Sequence, residues 1–392
     1  MISVSEAKAL ITKSIIPLAP AEVVIENASG HILAADVFAI CDIPAFRQSS
    51  MDGYAIKFDD KDQSLLINGE MAAGTAAPFV IENGQACRIF TGGPLPDGSD
   101  TVVMQEKVAL DNGRITIRQE NLKFGDNVRD KGAEIKTGRL AMKKGSYLSP
   151  AAIGFLTGIG VSKVLVYPLP RVAIILTGNE LQQPGKPLAF GQVYESNSYS
   201  LKSALKSAGI ENIEVFFAGD ELAVLQGILQ NALKTADVVL LTGGVSVGDY
   251  DFVVKAAELC GITQVFHKVR QRPGKPLYFG TLNQKLIFGL PGNPSSVLNC
   301  FYNYALPAMA HLSRKENPVK EVKAVLGADV TKPAGLTQFL KGDFQNGLAQ
   351  PLGAQESFKL SSFANANCLI CLEETRDNYV KGEEIGVLLL PY

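Results

Sequence analysis

Histidine is scarce in this 392-residue chain: His31, His267 and His311 lie far apart in sequence, and the six cysteines are scattered. That spacing suggests no zinc site. Cys368-Leu-Ile-Cys371 has the spacing of a metal knuckle, but no second such pair exists and the surrounding run alternates like a strand, so the pair reads as structural. With cysteines used this way, and no basic segment followed by an apolar run at the start of the chain, the expected setting is reduced and cytoplasmic. No apolar run approaches the length of a membrane span. An excess of either charge is missing too. A formal net charge of −2 and a pI near 6.0 provide no global field for nucleic acid, so any anion site must be built locally. Gly243 to Gly248 does not spell the dinucleotide fingerprint, and Gly274-Lys275-Pro276 lacks the upstream glycine and following hydroxyl of a P-loop. No serine sits in a nucleophile elbow, and there is neither a close repeat nor a low-complexity segment.

What is present centres on Ala236 to Phe252. Val238 to Leu241 is a short apolar run suited to a strand buried on both faces of a parallel sheet. Gly243 and Gly244 follow, where the absence of Cβ lets backbone N–H groups approach a ligand. Asp249 and Asp251 then open an amphipathic helix that stops at Gly261. The glycines and helix end suit a phosphate, whereas the two carboxylates would repel one. A Mg²⁺ ion bridging carboxylates and phosphate oxygens reconciles them. The plainer alternative is that both aspartates only cap the helix.

Taken in order, Ser3-Val4-Ser5-Glu6 resembles a capping box before a helix that ends at Pro17. Glu22 to Glu26 and His31 to Phe38 read as strands on either side of Ser29-Gly30. Residues 41–138 carry short alternating strands and the hairpin signal Asp111-Asn112-Gly113, the texture of a small β domain. Within it, the loops Ser49 to Tyr54 and Thr91 to Gly98 are either binding loops or plain turns. Ser149-Pro150 opens a helix, and Pro168 and Pro170 mark the entry to a βαβαβα segment, which implies a parallel sheet with helices on both faces. Ligands of such sheets bind beyond the carboxyl ends of the strands. Glu180, Asp220 and Asp251 all fall at such ends, so a carboxylate cluster is expected.

Positive charge is expected from Lys268, Arg270 and Arg272, which strand alternation would put on one face, and from Lys275 beyond the Pro-Gly turn. A charged edge strand is the alternative. Leu277 to Gly280 and Lys285 to Gly289 should pair around Asn283. Leu290 to Ser296 introduces the helix Val297 to His311, a second loop-to-helix anion cradle, with Ser295 and Ser296 placed to cap or to bind and a kink at Pro307. Past Pro318 the chain returns to alternating strands.

Six segments then resemble, in order, those of the molybdopterin molybdenumtransferase family, the molybdenum insertases called MoeA that include the gephyrin E domain. They are Ser50-Met51-Asp52-Gly53-Tyr54-Ala55, Thr91-Gly92-Gly93-Pro94, Thr177-Gly178-Asn179-Glu180-Leu181, Thr242 to Asp251, Pro273-Gly274-Lys275-Pro276 and Gly289-Leu290-Pro291-Gly292-Asn293-Pro294. The resemblance implies a multidomain α/β plus β chain. Residues 1–40 and 139–167 would form a split helical and strand domain, 41–138 an inserted β domain, 168–316 a three-layer, MogA-like α/β molybdopterin-binding domain, and 317–392 a β-barrel. It also implies a homodimer that inserts molybdate into adenylylated molybdopterin with Mg²⁺-dependent release of AMP. Glu180, Asp220 and Asp251 would hold Mg²⁺ or handle protons; Lys268 and Lys275 would take phosphate or oxyanion charge; Gly243, Gly244, Arg272, Pro291 and Pro294 would bind the cofactor; Ser246 and Ser296 would offer hydroxyls to molybdate; and Asp52, Thr91 and Arg129 would complete the cleft from the β domain of a partner subunit. The adenylyltransferase that makes the substrate and the apo-molybdoenzymes that receive the product are candidate partners.

Three segments depart from the family pattern: Arg272 replaces lysine, Glu134 replaces aspartate, and Gln355-Glu356-Ser357-Phe358 replaces Gln-Gly-Ser-His. Insertion of tungstate, and a non-catalytic pterin carrier or scaffold, are the alternatives. An adenylyltransferase is disfavoured, because Thr-Gly-Gly-Val-Ser stands where that class has Thr-Gly-Gly-Thr-Gly.

Overall fold

A computed structural model describes residues 1–245 and 252–391. Its contacts divide the chain into two compact units, one made of Met1–Ala21, Gly30–Ile32 and Tyr167–Tyr392, the other of Glu22–Ser29 and Leu33–Val166.

In the first unit, α1 (Val4–Ser14) begins with the capping box foreseen from sequence: Glu6 N–H donates to Ser3 Oγ, and Ser3 N–H donates to the Glu6 carboxylate. The central sheet contains β1 (Val172–Thr177), β2 (Ile213–Ala218), β3 (Val238–Thr242), β4 (Thr263–His267), β6 (Tyr278–Leu282) and β7 (Lys285–Leu290), in the order β2-β1-β3-β7-β6-β4. The first four in that order run parallel, and β6 and β4 are antiparallel additions. The β6–β7 hairpin around Asn283 is as expected.

Alternation along the strands sends side chains to two cores. Val172, Ile174, Leu176, Val238 and Leu240 join Leu201 and Leu205 of α2 (Asn197–Ser207). Ala173, Ile175, Val239 and Leu241 join Leu225 and Leu229 of α3 (Leu222–Thr235) and Val253 and Ala256 of α4 (Phe252–Leu259). The result is helix, sheet, helix, because strands apolar on both faces must be covered on both.

The region after β4 differs from expectation. Lys268 has a left-handed backbone (φ 72°), and only Gln271–Arg272 (β5) is extended. A left-handed residue ends strand alternation, so Lys268, Arg270 and Arg272 do not share a strand face. Arg270 turns instead to Glu374 and to the carbonyl of Met1. The long helix foreseen after Pro294 is α5 (Pro294–Cys300), a π-helical turn over Phe301–Ala305, and α6 (Leu306–Leu312). The irregular turn sits just before Pro307, which has no N–H to give the carbonyl four residues back.

Toward the C-terminus, β8 (Lys320–Leu326), β9 (Thr337–Gln345), β10 (Leu348–Pro351), β11 (Cys368–Leu372) and β12 (Glu384–Leu389) pair in the cycle β9-β10-β8-β12-β11-β9, a closed five-stranded barrel. β5 runs parallel to β9. Cys368 is buried in β11 and desolvation pushes its thiol up to about 12, as suits a structural residue.

The second unit carries a six-stranded sheet in the order 101–104, 53–56, 85–89, 65–71, 114–117, 108–111. Asn112 and Gly113, both at positive φ, make its hairpin turn. The runs near residues 22 and 31 do not pair with each other; Lys163–Tyr167 lies between Ala21–Val24 and Ile32–Leu33. Among the described residues no helix is long and apolar enough to cross a membrane.

At the amino ends of β1 and β3 the Asp237 carboxylate accepts from Arg171 N–H at 2.9 Å, Nε at 3.1 Å and Nη2 at 2.9 Å. Burial opposes ionisation of Asp237, but the Arg171 hydrogen bonds and the Arg171 and Lys285 charges outweigh it and hold the carboxyl below its ordinary 3.8. A depressed carboxyl contributes stability fully above its unfolded-state value and loses it as pH falls through the folded-state value. Asp237→Ala is expected to lower unfolding free energy by about 1.5–3 kcal/mol at neutral pH. Urea titrations from pH 7 down to pH 3 should show that difference shrinking in acid.

Candidate functional site

The carboxyl ends of β1, β2, β3 and β7 open into a cleft of about 650 Å³. Four loops, one from each strand, meet there. After β1, Gly178 takes a φ of 130°, a backbone conformation that L side chains rarely adopt, and the Glu180 carboxylate lies over it, where a Cβ at 178 would stand 2.4 Å from Oε2 and displace that side chain. After β2, Asp220 is locked to the first loop: Asn179 N–H donates to its carboxylate at 3.1 Å, and Asp220 N–H donates to Asn179 Oδ1 at 3.3 Å.

After β3, Gly243 (φ 87°) rests on Thr177, where a Cβ would meet Thr177 Oγ1 at 2.7 Å and the Thr177 carbonyl at 2.9 Å. Gly244 (φ 59°) follows, and its carbonyl accepts from Val253 N–H of α4. After β7, the Pro291 to Pro294 turn leads into α5, with Ser296 and Val297 N–H donating to the Asn293 carbonyl. Glu180, Asp220, Gly243, Gly244, Pro291 and Pro294 therefore all line one cleft. Ser246 and Asp251, also expected here, lie outside the described residues, as does Asp249.

Other expected residues stand apart from the lining. Ser296 is buried at the start of α5. Lys268 is half-buried, while Arg272 and Lys275 are exposed beside Pro276, which does line the cleft. Gly274 (φ 89°) explains the local Pro-Gly-Lys-Pro turn: a Cβ would strike Cys300 Sγ at 2.5 Å, so glycine lets the turn close onto α5.

In the second unit, Asp52 Oδ1 accepts from both the N–H and the hydroxyl of Thr91 at 2.8 Å. Those two hydrogen bonds, the backbone one first, hold the Asp52 carboxyl below its ordinary range. Arg129 is exposed on a two-residue strand paired with Gln48–Ser49, and the Ser49 carbonyl accepts from Gly92 N–H. Asp52, Thr91 and Arg129 thus sit on adjoining segments.

Sequence reading missed Asn197, Tyr194 and Asn293 as cleft residues, and noted Phe358 only as a departure. Asn197 is buried, gives its Nδ2 to the Gly292 carbonyl at 2.9 Å, and leaves Oδ1 unpaired among the described residues. The Glu195-Ser-Asn-Ser198 run at the start of α2 was a local sign of it. Phe358 comes from the barrel and had none.

A larger cavity of about 900 Å³ lies between α1 and the barrel. Its charges neutralise one another, with Lys8–Glu321 at 2.6 Å and Arg270–Glu374 at 3.3 Å. The strand-end cleft instead combines two carboxylates with backbone at close approach, so it is the better candidate for anion and cation chemistry.

Residues 2–160 match the family described as "MoeA N-terminal region (domain I and II)", 173–311 "Probable molybdopterin binding domain", and 323–390 "MoeA C-terminal region (domain IV)". The chain is 35% identical over 375 residues to the molybdopterin molybdenumtransferase of Haemophilus influenzae, covering 93% of this chain and 92% of that one. It is 33% identical over 404 residues to molybdopterin molybdenumtransferase 2 of Mycobacterium tuberculosis, covering 99% of each. A solved structure of a molybdopterin biosynthesis MoeA protein from Pyrococcus horikoshii superposes with a TM-score of 0.76 at 28% identity, covering 99% of this chain and 100% of that one. Another from the same genus gives 0.82 at 31% identity, covering 100% and 99%.

Gly243→Ala is expected to lower stability by about 1–3 kcal/mol, since it adds both a steric clash and an unfavourable φ. Gly154→Ala, in open space within the helix Pro150–Gly158, should instead add about 0.5–1 kcal/mol. Denaturant midpoints of the two variants check the contrast.

Proposed function

The chain belongs to the molybdopterin molybdenumtransferase (MoeA) family of molybdenum cofactor biosynthesis enzymes, and on that premise we propose that it inserts molybdate into adenylylated molybdopterin. In this reaction the two dithiolene sulfurs replace one oxide of molybdate, which leaves as water with the two thiol protons, while a second water cleaves the phosphoanhydride and AMP leaves. The observation that carries this reading is the pairing of Glu180 and Asp220 with Gly243 and Gly244 around one cleft.

Among the described residues no three His, Cys, Asp or Glu side chains gather into a metal cage. Two carboxylates on an open cleft are nevertheless the donor set that Mg²⁺ takes when substrate phosphates and water complete its shell, so the residues fit that ion. Glu180 and Asp220 would hold it, with Asp251 a third candidate, and when bound it would neutralise charge on the phosphoanhydride.

The chain's own groups do the rest. Gly243 and Gly244, without Cβ atoms, let phosphate oxygens come close to the backbone, where the Gly243 N–H itself is engaged by the Leu290 carbonyl. Lys275, Lys268 and Arg272 supply positive charge toward phosphate and oxyanion. Asp220 is oriented by its reciprocal bonds with the Asn179 loop, which favours a fixed geometry over a mobile carboxylate. Ser246 and Ser296 are assigned to molybdate. Asp52, positioned by its two Thr91 bonds, and Thr91 would be further catalytic groups, and Arg129 a further binding group, of a cytoplasmic homodimer.

The test is AMP release from adenylylated molybdopterin with Mg²⁺, with and without molybdate or tungstate, followed by reconstitution of a metal-free molybdoenzyme. Oxyanion-dependent AMP release together with reconstituted activity is expected. Tight pterin binding with no AMP release would overturn the proposal in favour of a carrier or scaffold. Asp220→Asn and Glu180→Gln are each expected to slow turnover about 100-fold or more, the scale of losing one preorganised electrostatic group, while pterin stays bound. Lys275→Ala should weaken binding of the adenylylated pterin about tenfold without a change in melting temperature.

A further inference from the structure

Among the described residues the barrel contributes one to the cleft, Phe358, and the turn that carries it is held by a network of hydrogen bonds. Lys341 of β9 is almost completely buried, at 3% exposure. Its Nζ donates to the carbonyls of Ala354 at 2.8 Å, Lys359 at 3.0 Å and Glu356 at 3.4 Å, so three donors are spent on backbone acceptors on both sides of position 358. Gln355 adds a second brace: its Oε1 accepts from Lys341 N–H, and its Nε2 donates to the carbonyls of Lys341 and Leu352. The Ser362 hydroxyl also donates to the Ala354 carbonyl.

The same turn is fixed to the cleft side. Ser295 N–H donates to the Ser357 carbonyl at 3.2 Å, and Asn293 Nδ2 donates to Ser357 Oγ at 3.0 Å. Between these anchors the Phe358 ring is left 64% exposed. Lys359 Nζ, 5.8 Å from the ring centroid, is the nearest charge on its own turn and is paired with Glu356 at 2.8 Å.

An exposed phenylalanine alone needs no explanation. Burying an ammonium group does, because desolvation costs free energy that the three carbonyls must offset. Here the buried charge immobilises a turn whose large apolar side chain borders a ligand cleft. A ring held in advance loses little entropy when another flat ring lies against it.

We propose that Phe358 is the stacking platform for a planar, nitrogen-rich heterocycle of the ligand, the pterin or the adenine. This deepens the function proposed above and rests on it. No bond is made or broken at this residue.

The chain contains no tryptophan, so Phe358→Trp introduces a single indole reporter at the site. AMP and molybdopterin, titrated separately, distinguish the two heterocycles. The expected result is quenching of indole emission by one of them. Calorimetry on Phe358→Ala should show a loss of about 5- to 150-fold in affinity for that same compound, the range seen when one aromatic platform is removed from a base-binding site. Phe358→Tyr should keep the affinity, and the melting temperature of all three variants should match the parent, since the ring is exposed.

If Phe358→Ala binds both compounds as the parent does, or if bound ligand leaves the indole emission unchanged, the platform is refuted and the proposed function stands. If the parent protein binds neither compound, the reading of the cleft fails and the platform falls with it.

Discussion

The cleft depends on how closely backbone approaches backbone at the end of two parallel strands. Val172–Thr177 and Val238–Thr242 pair in register, Leu176 opposite Thr242. The chain leaving the second strand must then turn at once over Thr177. It does so through Gly243, where even one methyl group would stand inside contact distance of Thr177. The loop stays low because there is no side chain beneath it, and Gly243 and Gly244 line the cleft with backbone.

The two ends of this sheet are built for different tasks. At the amino ends, Asp237 gathers three donors from Arg171, and Lys285 Nζ donates to the Ala236 carbonyl, so these three charges are engaged in holding strands together. At the carboxyl ends, Glu180 and Asp220 face a cleft, and the two hydrogen bonds that join Asp220 to Asn179 orient it without an ion pair. Stability is concentrated at one edge and chemistry at the other, the division that a parallel sheet with short strand-to-helix loops permits.

Most of the architecture was legible in the chain because it rests on local pattern. Apolar runs such as Val238–Leu241 announced doubly buried strands, Ser3 and Glu6 announced a capped helix, and Asn112-Gly113 announced a hairpin. The segment after His267 was not legible. Lys268, Arg270 and Arg272 alternate as in a strand, but the left-handed backbone at Lys268 is imposed by partners remote in sequence: its N–H bonds the Leu277 carbonyl, and its own carbonyl accepts from Ile2 N–H. The break after Pro294 was foreseen at Pro307 but lies in the π-turn before it, a matter of which carbonyl loses its donor.

By itself the sequence determined the elements, the glycines at strand ends, and the family to which the ordered segments belong. All of these follow from residues within a few positions of one another. Only the tertiary structure decided which polar groups share the cleft. Glu180 and Asp220 come together because crossovers return each strand end to one edge of the sheet. Asn197 enters because its amide is tied to Gly292 of another loop. Phe358 arrives from a barrel whose buried Lys341 fixes a turn that no local pattern marks. Proximity between distant segments is set by packing and by the hydrogen bonds that packing must satisfy, and neither is written in the periodicity of a single strand or helix.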